Sequence, residues 1–228
     1  MSAPVSRTYL FVPGNRPERF AKALTSAADA VVLDLEDAVA VDDKSMAREA
    51  VGLQLAGMPA ETRRRVVVRI NDIASSWFAM DLRALLQSGG TQVMLPKAES
   101  AAQIAAVRSA MPDADVLALI ETARGVAAVA EVAAAPVAGV TPQLDDEARL
   151  LADLAQARRF GFGAKLCIHP KQVAPIHRAL LPSAAAVDWA HRVLEAEAAS
   201  PGAAKLDGRM VDRPVVLQAE RILMRSAR

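Results

Sequence analysis

The chain has 228 residues, 27 Lys and Arg against 26 Asp and Glu, and 53% apolar residues. A formal net charge of +1 and an aromatic share of 4% argue against nucleic acid or an anionic membrane as partner, because neither a phosphate-neutralising face nor a stacking platform is provided. Cys167 is the single cysteine, which excludes an intrachain disulfide and a cysteine-based zinc site. The opening MSAPVSRTYLFVPG lacks the basic and apolar regions of a signal peptide, and no apolar run reaches spanning length. A soluble, cytoplasmic protein of one large or two small domains is expected.

Short runs rich in Val, Leu and Ile predict strands over Thr8–Val12, Ala30–Leu35, Val66–Ile70, Gln92–Leu95, Val116–Ile120, Val137–Val140 and Ala164–Ile168. They are continuous rather than alternating, as in parallel strands buried on both faces. Helices are predicted between them. Pro17 suits the first turn before Glu18–Leu24. Ser75 or Ser76 can cap Trp77–Gln87, which Gly89-Gly90 stops, and Ser100 precedes Ala101–Ala110, ended by Pro112. Near the end come a helix over Pro182–Glu195 capped by Ser183, a linker at Ser200–Ala204 and a last helix after Pro214. Repeated strand–helix units leave a closed (β/α)8 barrel or an open doubly wound sheet. No GxGxxG follows the first strand and no Walker loop occurs, so a dinucleotide or P-loop site is disfavoured.

In parallel α/β folds the chemistry gathers at the carboxyl ends of strands. Here those ends read Asp34-Leu35-Glu36-Asp37, Arg69-Ile70-Asn71, Pro96-Lys97, Glu121-Thr122 and His169-Pro170, a polar basin mixing carboxylates with cations. Glu121 closes an apolar run, so its charge needs a partner: Lys97 or Arg124, or a hard cation such as Mg²⁺. Alternation puts Asp34 and Glu36 on one face and turns Asp37 away. Asp34 reads best as a structural partner of Arg69, while Glu36 and Asp37, nearer the mouth, could order metal-bound water or a substrate loop. Arg69 suits a substrate carboxylate or a developing enolate, its other reading is as partner of Glu36, and the two are compatible. The Arg63-Arg64-Arg65 run should be solvated at the opposite face. His169 reads as a hydrogen-bonding corner, and His177 and His191 as helix-surface or packing residues.

At these residues the chain resembles the citrate lyase β-subunit-like proteins of the HpcH/HpaI aldolase superfamily. The resemblance rests on Arg7–Pro17 (RTYLFVPGNRP), Val31–Val39 (VVLDLEDAV), Val68–Asn71, Leu95–Lys97, Ile120–Gly125 (IETARG), Lys165–Pro170 (KLCIHP) and Asp207–Pro214 (DGRMVDRP), and it spans nearly the whole chain. It implies a (β/α)8 TIM-type barrel over residues 1–181, with a C-terminal helical extension over 182–228 that contributes to a neighbouring subunit's site in a trimer or hexamer. It implies a Mg²⁺-dependent carbon–carbon lyase, of retro-aldol or Claisen type, acting on citryl-CoA, malyl-CoA or citramalyl-CoA-like thioesters. Its partners would be an acyl-CoA and a 2-oxo acid. By the same resemblance Glu121 is the metal ligand and contacts substrate, Arg69 binds substrate in the catalytic step, Asp212 is the acid/base, and Arg16 and Lys22 approach the CoA phosphates.

One departure stands out. The family's Phe-Gly-x-x-Asp strand, whose Asp is a second metal carboxylate, should follow the Glu-Thr-Ala-Arg-Gly helix. Instead Ala133-Ala134-Ala135-Pro136 runs into Val137–Thr141, which resembles the seventh strand. The sixth β/α unit, on the order of 40 residues with its loops, is thus missing from the sequence. A malyl-CoA thioesterase using the same site, with water attacking the thioester, is the nearest rival. A non-catalytic barrel subunit is another.

Overall fold

Each of the seven apolar runs forms a strand in one parallel sheet: β1 (Thr8–Pro13), β2 (Ala30–Asp34), β3 (Val66–Arg69), β4 (Gln92–Leu95), β5 (Asp115–Ala118), β6 (Val137–Ala138) and β7 (Ala164–Cys167). The computed structural model describes residues 6–129, 137–159, 162–200 and 204–226. Their order across the sheet is β5-β4-β3-β2-β1-β7-β6, and the sheet curls into a half-barrel. Tyr9, Ala30, Val32, Val67, Met94, Ala164 and Leu166 form the buried core of one face, with Phe11 and Leu117 against them. The alternate residues Leu10, Val31, Leu33, Val66, Val68, Val93 and Leu95 are also buried. Burial on both faces is why the strands read as unbroken apolar runs.

Among the described residues β5 and β6 are the sheet's edges, so the seam falls between the fifth strand and the strand that the sequence reads as the seventh. β5 starts and ends earlier than predicted, and its side chains are half-buried or exposed. With a neighbour on one side only, the apolar pattern there continues past the ladder.

The helices are α1 (Phe20–Leu24), α2 (Lys44–Ala56), α3 (Ala60–Arg63), α4 (Phe78–Ser88), α5 (Ala101–Ala110), α6 (Ala123–Ala127), α7 (Glu147–Arg159), α8 (Val173–Leu180), α9 (Ala184–Ala199) and α10 (Arg213–Ser226). α2 buries Lys44, Ala47, Val51 and Leu55, and its neighbour α4 buries Asp81, Leu82, Leu85 and Ser88. α4 ends at Gly89, whose φ of +74° is the left-handed stop that glycine permits. No helix among the described residues is long and apolar enough to cross a membrane.

Two motif glycines mark close approaches. Gly14 donates its N–H to Asp34 O at 2.7 Å, and a Cβ there would lie 2.6 Å from that oxygen. A Cβ on Gly125 would lie 2.5 Å from Ala98 O, so α6 reaches the loop after β4 only with glycine at this position.

The arginine run corrects the sequence expectation of a solvated face. Arg65 donates to the carbonyls of Leu24 at 3.2 Å and Ala28 at 2.7 Å, and Arg63 donates to Met58 O at 2.8 Å. These planar forks gather loop carbonyls at the amino-terminal end of the sheet. Arg64 is exposed and pairs with Glu61 at 3.2 Å.

The described chain divides into two compact units, Ser6–Ile176 and His177–Arg228. The first holds the parallel sheet. In the second, α9 and α10 pack through Ala190, Val193, Val216 and Ala219, with Ala204 and Val211 from the intervening segment. That segment carries a hairpin, β8 (Lys205–Leu206) and β9 (Arg209–Met210). Its turn residues Asp207 and Gly208 have φ of +49° and +77°, the Asp-Gly signature of a tight antiparallel turn. The Ser183 hydroxyl caps α9 by accepting from Ala186 N at 3.2 Å, as its position in the sequence predicts. α9 starts and ends later than predicted; the middle of the linker, residues 201–203, lies outside the described residues.

Candidate active site

Parallel register sets Asp34 beside Arg69 at the carboxyl ends of β2 and β3. Arg69 Nε and Nη2 donate to Asp34 Oδ1 and Oδ2 at 2.7 and 2.6 Å, a bidentate fork with the carboxylate wholly buried. Asp34 also accepts the N–H groups of Glu36 at 2.9 Å and Ala38 at 3.0 Å, which closes the turn after β2. The guanidinium carbon stands 5.0 Å from the centre of the Phe11 ring, a cation–π contact. Burial pulls the Arg69 guanidinium down, but the hydrogen bonds and charge of Asp34 outweigh it and the net shift is upward.

Arg69 Nη1 faces two further carboxylates, Glu36 Oε2 at 3.0 Å and Asp37 Oδ2 at 3.6 Å. Glu36 is buried and Asp37 is 68% exposed, the in-and-out placement that alternation predicts. No N–H points along the line to Glu36 Oε2, so that oxygen is ion-paired but has no hydrogen bond. Its other oxygen accepts from the Lys97 ammonium. Burial pushes the Glu36 carboxyl up, against the Lys97 hydrogen bond and the Arg69 charge. Lys97 is itself raised, chiefly by that hydrogen bond.

Glu121 lies three residues past β5 and is exposed. Its Oε1 accepts the backbone N–H of Lys97 at 3.0 Å. The alternative partner Arg124 instead stands 3.7 Å from Glu99. Lys97 thus touches Glu36 with its ammonium and Glu121 with its backbone, and it does so at φ +49°, a left-handed conformation uncommon for a side chain of its kind.

Lys44, at the start of α2, supplies a third cation. Its ammonium donates to the carbonyls of Leu35 at 2.6 Å and Glu36 at 2.7 Å and stands 5.5 Å over the Trp77 ring. Burial pulls it down while Asp34, Glu36, Asp81 and Asp37 push it up, and the net shift is downward. Lys44→Met leaves two acceptors short of their donor at the turn that carries Glu36, so it should cost about 1–3 kcal/mol. Urea unfolding checks this; a loss below about 0.5 kcal/mol would mean the turn holds itself. Asp34, Glu36, Asp37 and Glu121 face Arg69, Lys97 and Lys44, so the cluster carries four carboxylates against three cations.

A second buried network sits beside it. Asp81 on α4 accepts from Asn71 N at 2.9 Å, Asn71 Nδ2 at 2.7 Å and Arg48 Nε at 2.7 Å. It ties the end of β3 to α2 and α4. Sequence reasoning named Asn71 but not Lys44, Arg48 or Asp81. The polar residues on the otherwise apolar faces of α2 and α4 were the available signal.

The other candidates fall elsewhere. Arg16, in the loop after β1, is exposed and 3.9 Å from Glu18; Lys22, on α1, is exposed. Asp212 belongs to the unit His177–Arg228, where its Oδ1 accepts Val215 N at 3.1 Å and caps α10. His169 accepts the N–H of Lys171 at 3.2 Å, the corner role expected of it, and His177 and His191 lie on α8 and α9. Burial pushes the Cys167 thiol up to about 12, which leaves it inert as a nucleophile. Among the described residues no three His, Cys, Asp or Glu side chains form a ready ligand set for a metal.

Known proteins resemble this chain in sequence and in fold. The HpcH/HpaI aldolase/citrate lyase family matches residues 7–141. The citrate lyase subunit beta-like protein of Mycobacterium tuberculosis is 37% identical over 268 aligned positions, covering 96% of this chain and 94% of that protein. Those 268 positions exceed the 228 residues of this chain by 40, so at least that many face gaps in it. A (3S)-malyl-CoA thioesterase of Cereibacter sphaeroides is 30% identical, covering 96% of this chain and 94% of its own. Protein CitE from Mycobacterium tuberculosis, crystallised in complex with magnesium, acetoacetate and coenzyme A, superposes with a TM-score of 0.76 at 35% identity over 98% of both chains. With similarity running through the strand ends that carry Asp34, Arg69, Lys97 and Glu121, the chain belongs to the HpcH/HpaI aldolase/citrate lyase family.

Proposed function

We propose that this protein is a Mg²⁺-dependent lyase that breaks a carbon–carbon bond in citryl-CoA, malyl-CoA or citramalyl-CoA-like thioesters. The observation that carries the reading is the strand-end cluster itself, with more carboxylates than cations and Glu121 open to solvent. Mg²⁺ is commonly held by one or two carboxylates, with water and substrate oxygens completing the shell. Glu121 fits such a water-rich site, and the charge balance of the cluster favours a cation. When bound, the ion would supply Lewis acidity to the oxygen of the 2-hydroxy or 2-oxo acid portion.

Within this reading the chain's own residues divide the work. Arg69 holds a fixed positive charge beside the site, kept in place by Asp34. Glu36 and Asp37 line the substrate side of the β2 turn. Arg16 and Lys22, both exposed, meet the phosphates of CoA. In cleavage the hydroxyl gives its proton to the Asp212 carboxylate, its C–O bond becomes the carbonyl, and the electron pair of the broken C–C bond passes to the thioester enolate. Asp212 delivers the proton to the enolate carbon, from the 182–228 extension of a neighbouring copy in a trimer or hexamer.

The barrel reading belongs here too. The seam between β5 and β6 and the gaps facing at least 40 aligned positions support a (β/α)8 architecture over residues 1–181 whose sixth unit is absent from this sequence. The similarity to a (3S)-malyl-CoA thioesterase favours a second reading, in which water attacks the thioester at the same site. Proton exchange tests the enolate chemistry. With acetyl-CoA, a 2-oxo acid and Mg²⁺ in D₂O, the protein should incorporate deuterium into the acetyl methyl group. Asp212→Asn should remove most of that exchange. Exchange no faster than in buffer would contradict the lyase reading.

A further inference from the structure

Arg69 is the cation that sequence assigns to the substrate, yet Asp34 already holds the Nε and Nη2 side of its fork. Nη1 lies between Glu36 and Asp37. Its side chain is 11% exposed and backed by Phe11. Lys97 is placed differently. Its side chain is 40% exposed, and its ammonium has three donors, one of them aimed at Glu36.

The backbone around Lys97 explains why it stands there. Ala98 donates its N–H to Leu119 O at 3.0 Å, Thr122 Oγ1 donates to Glu99 Oε1 at 2.8 Å, and Ala98 O sits where Gly125 leaves room. The loop after β4 is therefore stitched to the loop after β5 on both sides of Glu121. Lys97 N–H meets Glu121 Oε1 at 3.0 Å with φ at +49°. A non-glycine residue held in that region is a cost that the surrounding contacts enforce, and such residues gather at ligand sites. Asparagine or glycine would meet the backbone requirement with less strain, so the conformation does not account for the lysine side chain.

We propose that Lys97 is a substrate-binding residue: its ammonium, held at Glu36 on the residue whose backbone meets Glu121, takes the carboxylate of the 2-oxo or 2-hydroxy acid. The assignment rests on the acyl-CoA reading above. Lys97 then adds a second, more exposed cation beside Arg69 for the acid to meet.

The test is equilibrium binding by calorimetry, with the full chain, Mg²⁺ and pyruvate or glyoxylate as the probe acid, and CoA titrated separately. Lys97→Met should weaken the probe acid at least about tenfold, the loss expected for one charged hydrogen bond. CoA affinity should stay within about twofold. Lys97→Arg should recover most of the loss, because it restores a cation with the same backbone preference. Circular dichroism checks that both variants fold. Wild-type acid affinity in Lys97→Met would overturn the proposal while leaving the acyl-CoA reading intact. A parallel loss of CoA affinity would also overturn it, since that marks a general disturbance. If the wild-type protein bound neither probe acid with Mg²⁺, the proposal and the reading beneath it would fall together.

Discussion

Asp34→Ala should lower stability by about 3–5 kcal/mol, the cost of leaving a buried charge without its partner. That is a large share of the roughly 5–15 kcal/mol available to a typical fold. Asp34 is wholly buried and accepts four hydrogen bonds, two from Arg69 and one each from the backbone at Glu36 and Ala38. Removing it strands a guanidinium that Glu36 and Asp37 meet only through Nη1. It also opens the turn that aims Glu36 at Lys97. A double variant, Asp34→Val with Arg69→Met, should lose markedly less than Asp34→Ala, because an apolar pair of similar volume carries no desolvated charge. Urea unfolding of the three proteins decides this. A loss below about 1 kcal/mol in the single variant would mean that water reaches the pair and that the site is not the rigid platform described above.

Glu121→Gln should separate function from folding. Gln keeps an oxygen that can accept the Lys97 N–H, and position 121 is exposed, so stability should stay within about 0.5 kcal/mol. What disappears is the negative charge proposed to hold Mg²⁺. A Lewis acid at such a site contributes several kcal/mol to the transition state, and about 4 kcal/mol corresponds to roughly a thousandfold in rate. Turnover measured against Mg²⁺ concentration should therefore fall by about that factor, with saturation moved to higher metal. An unchanged rate and metal profile would contradict Glu121 as the metal ligand, and no turnover in either protein would favour a non-catalytic subunit.

Much of the sheet was legible because parallel strands buried on both faces must be continuously apolar. All seven runs became strands, with ends displaced by one or two residues where the ladder stops before the hydrophobicity does, as at Leu119 and Ile120. The pairing of Asp34 with Arg69 was legible too, since neighbouring parallel strands bring their carboxyl ends together. The β8–β9 hairpin passed unnoticed although Asp207-Gly208 advertises it, because the strands flanking that turn are two residues each. Lys44, Arg48 and Asp81 were missed for a different reason. They lie on helices, and only the packing of α2 and α4 brings them to the strand ends. Lys97 was read as a strand-end cation, but its left-handed backbone depends on the loop beside it, which no local pattern encodes. The arginine run was misread because sequence shows three charges and not the loop carbonyls that Arg63 and Arg65 collect.

The most direct test is product analysis. The full chain would be incubated with malyl-CoA, citramalyl-CoA and citryl-CoA, with Mg²⁺ and after its removal by EDTA, and the products identified by mass spectrometry. The account predicts Mg²⁺-dependent cleavage of at least one thioester to acetyl-CoA and the matching 2-oxo acid, such as glyoxylate from malyl-CoA. Release of free CoA with the intact hydroxy acid, or no turnover of any of the three, would contradict it.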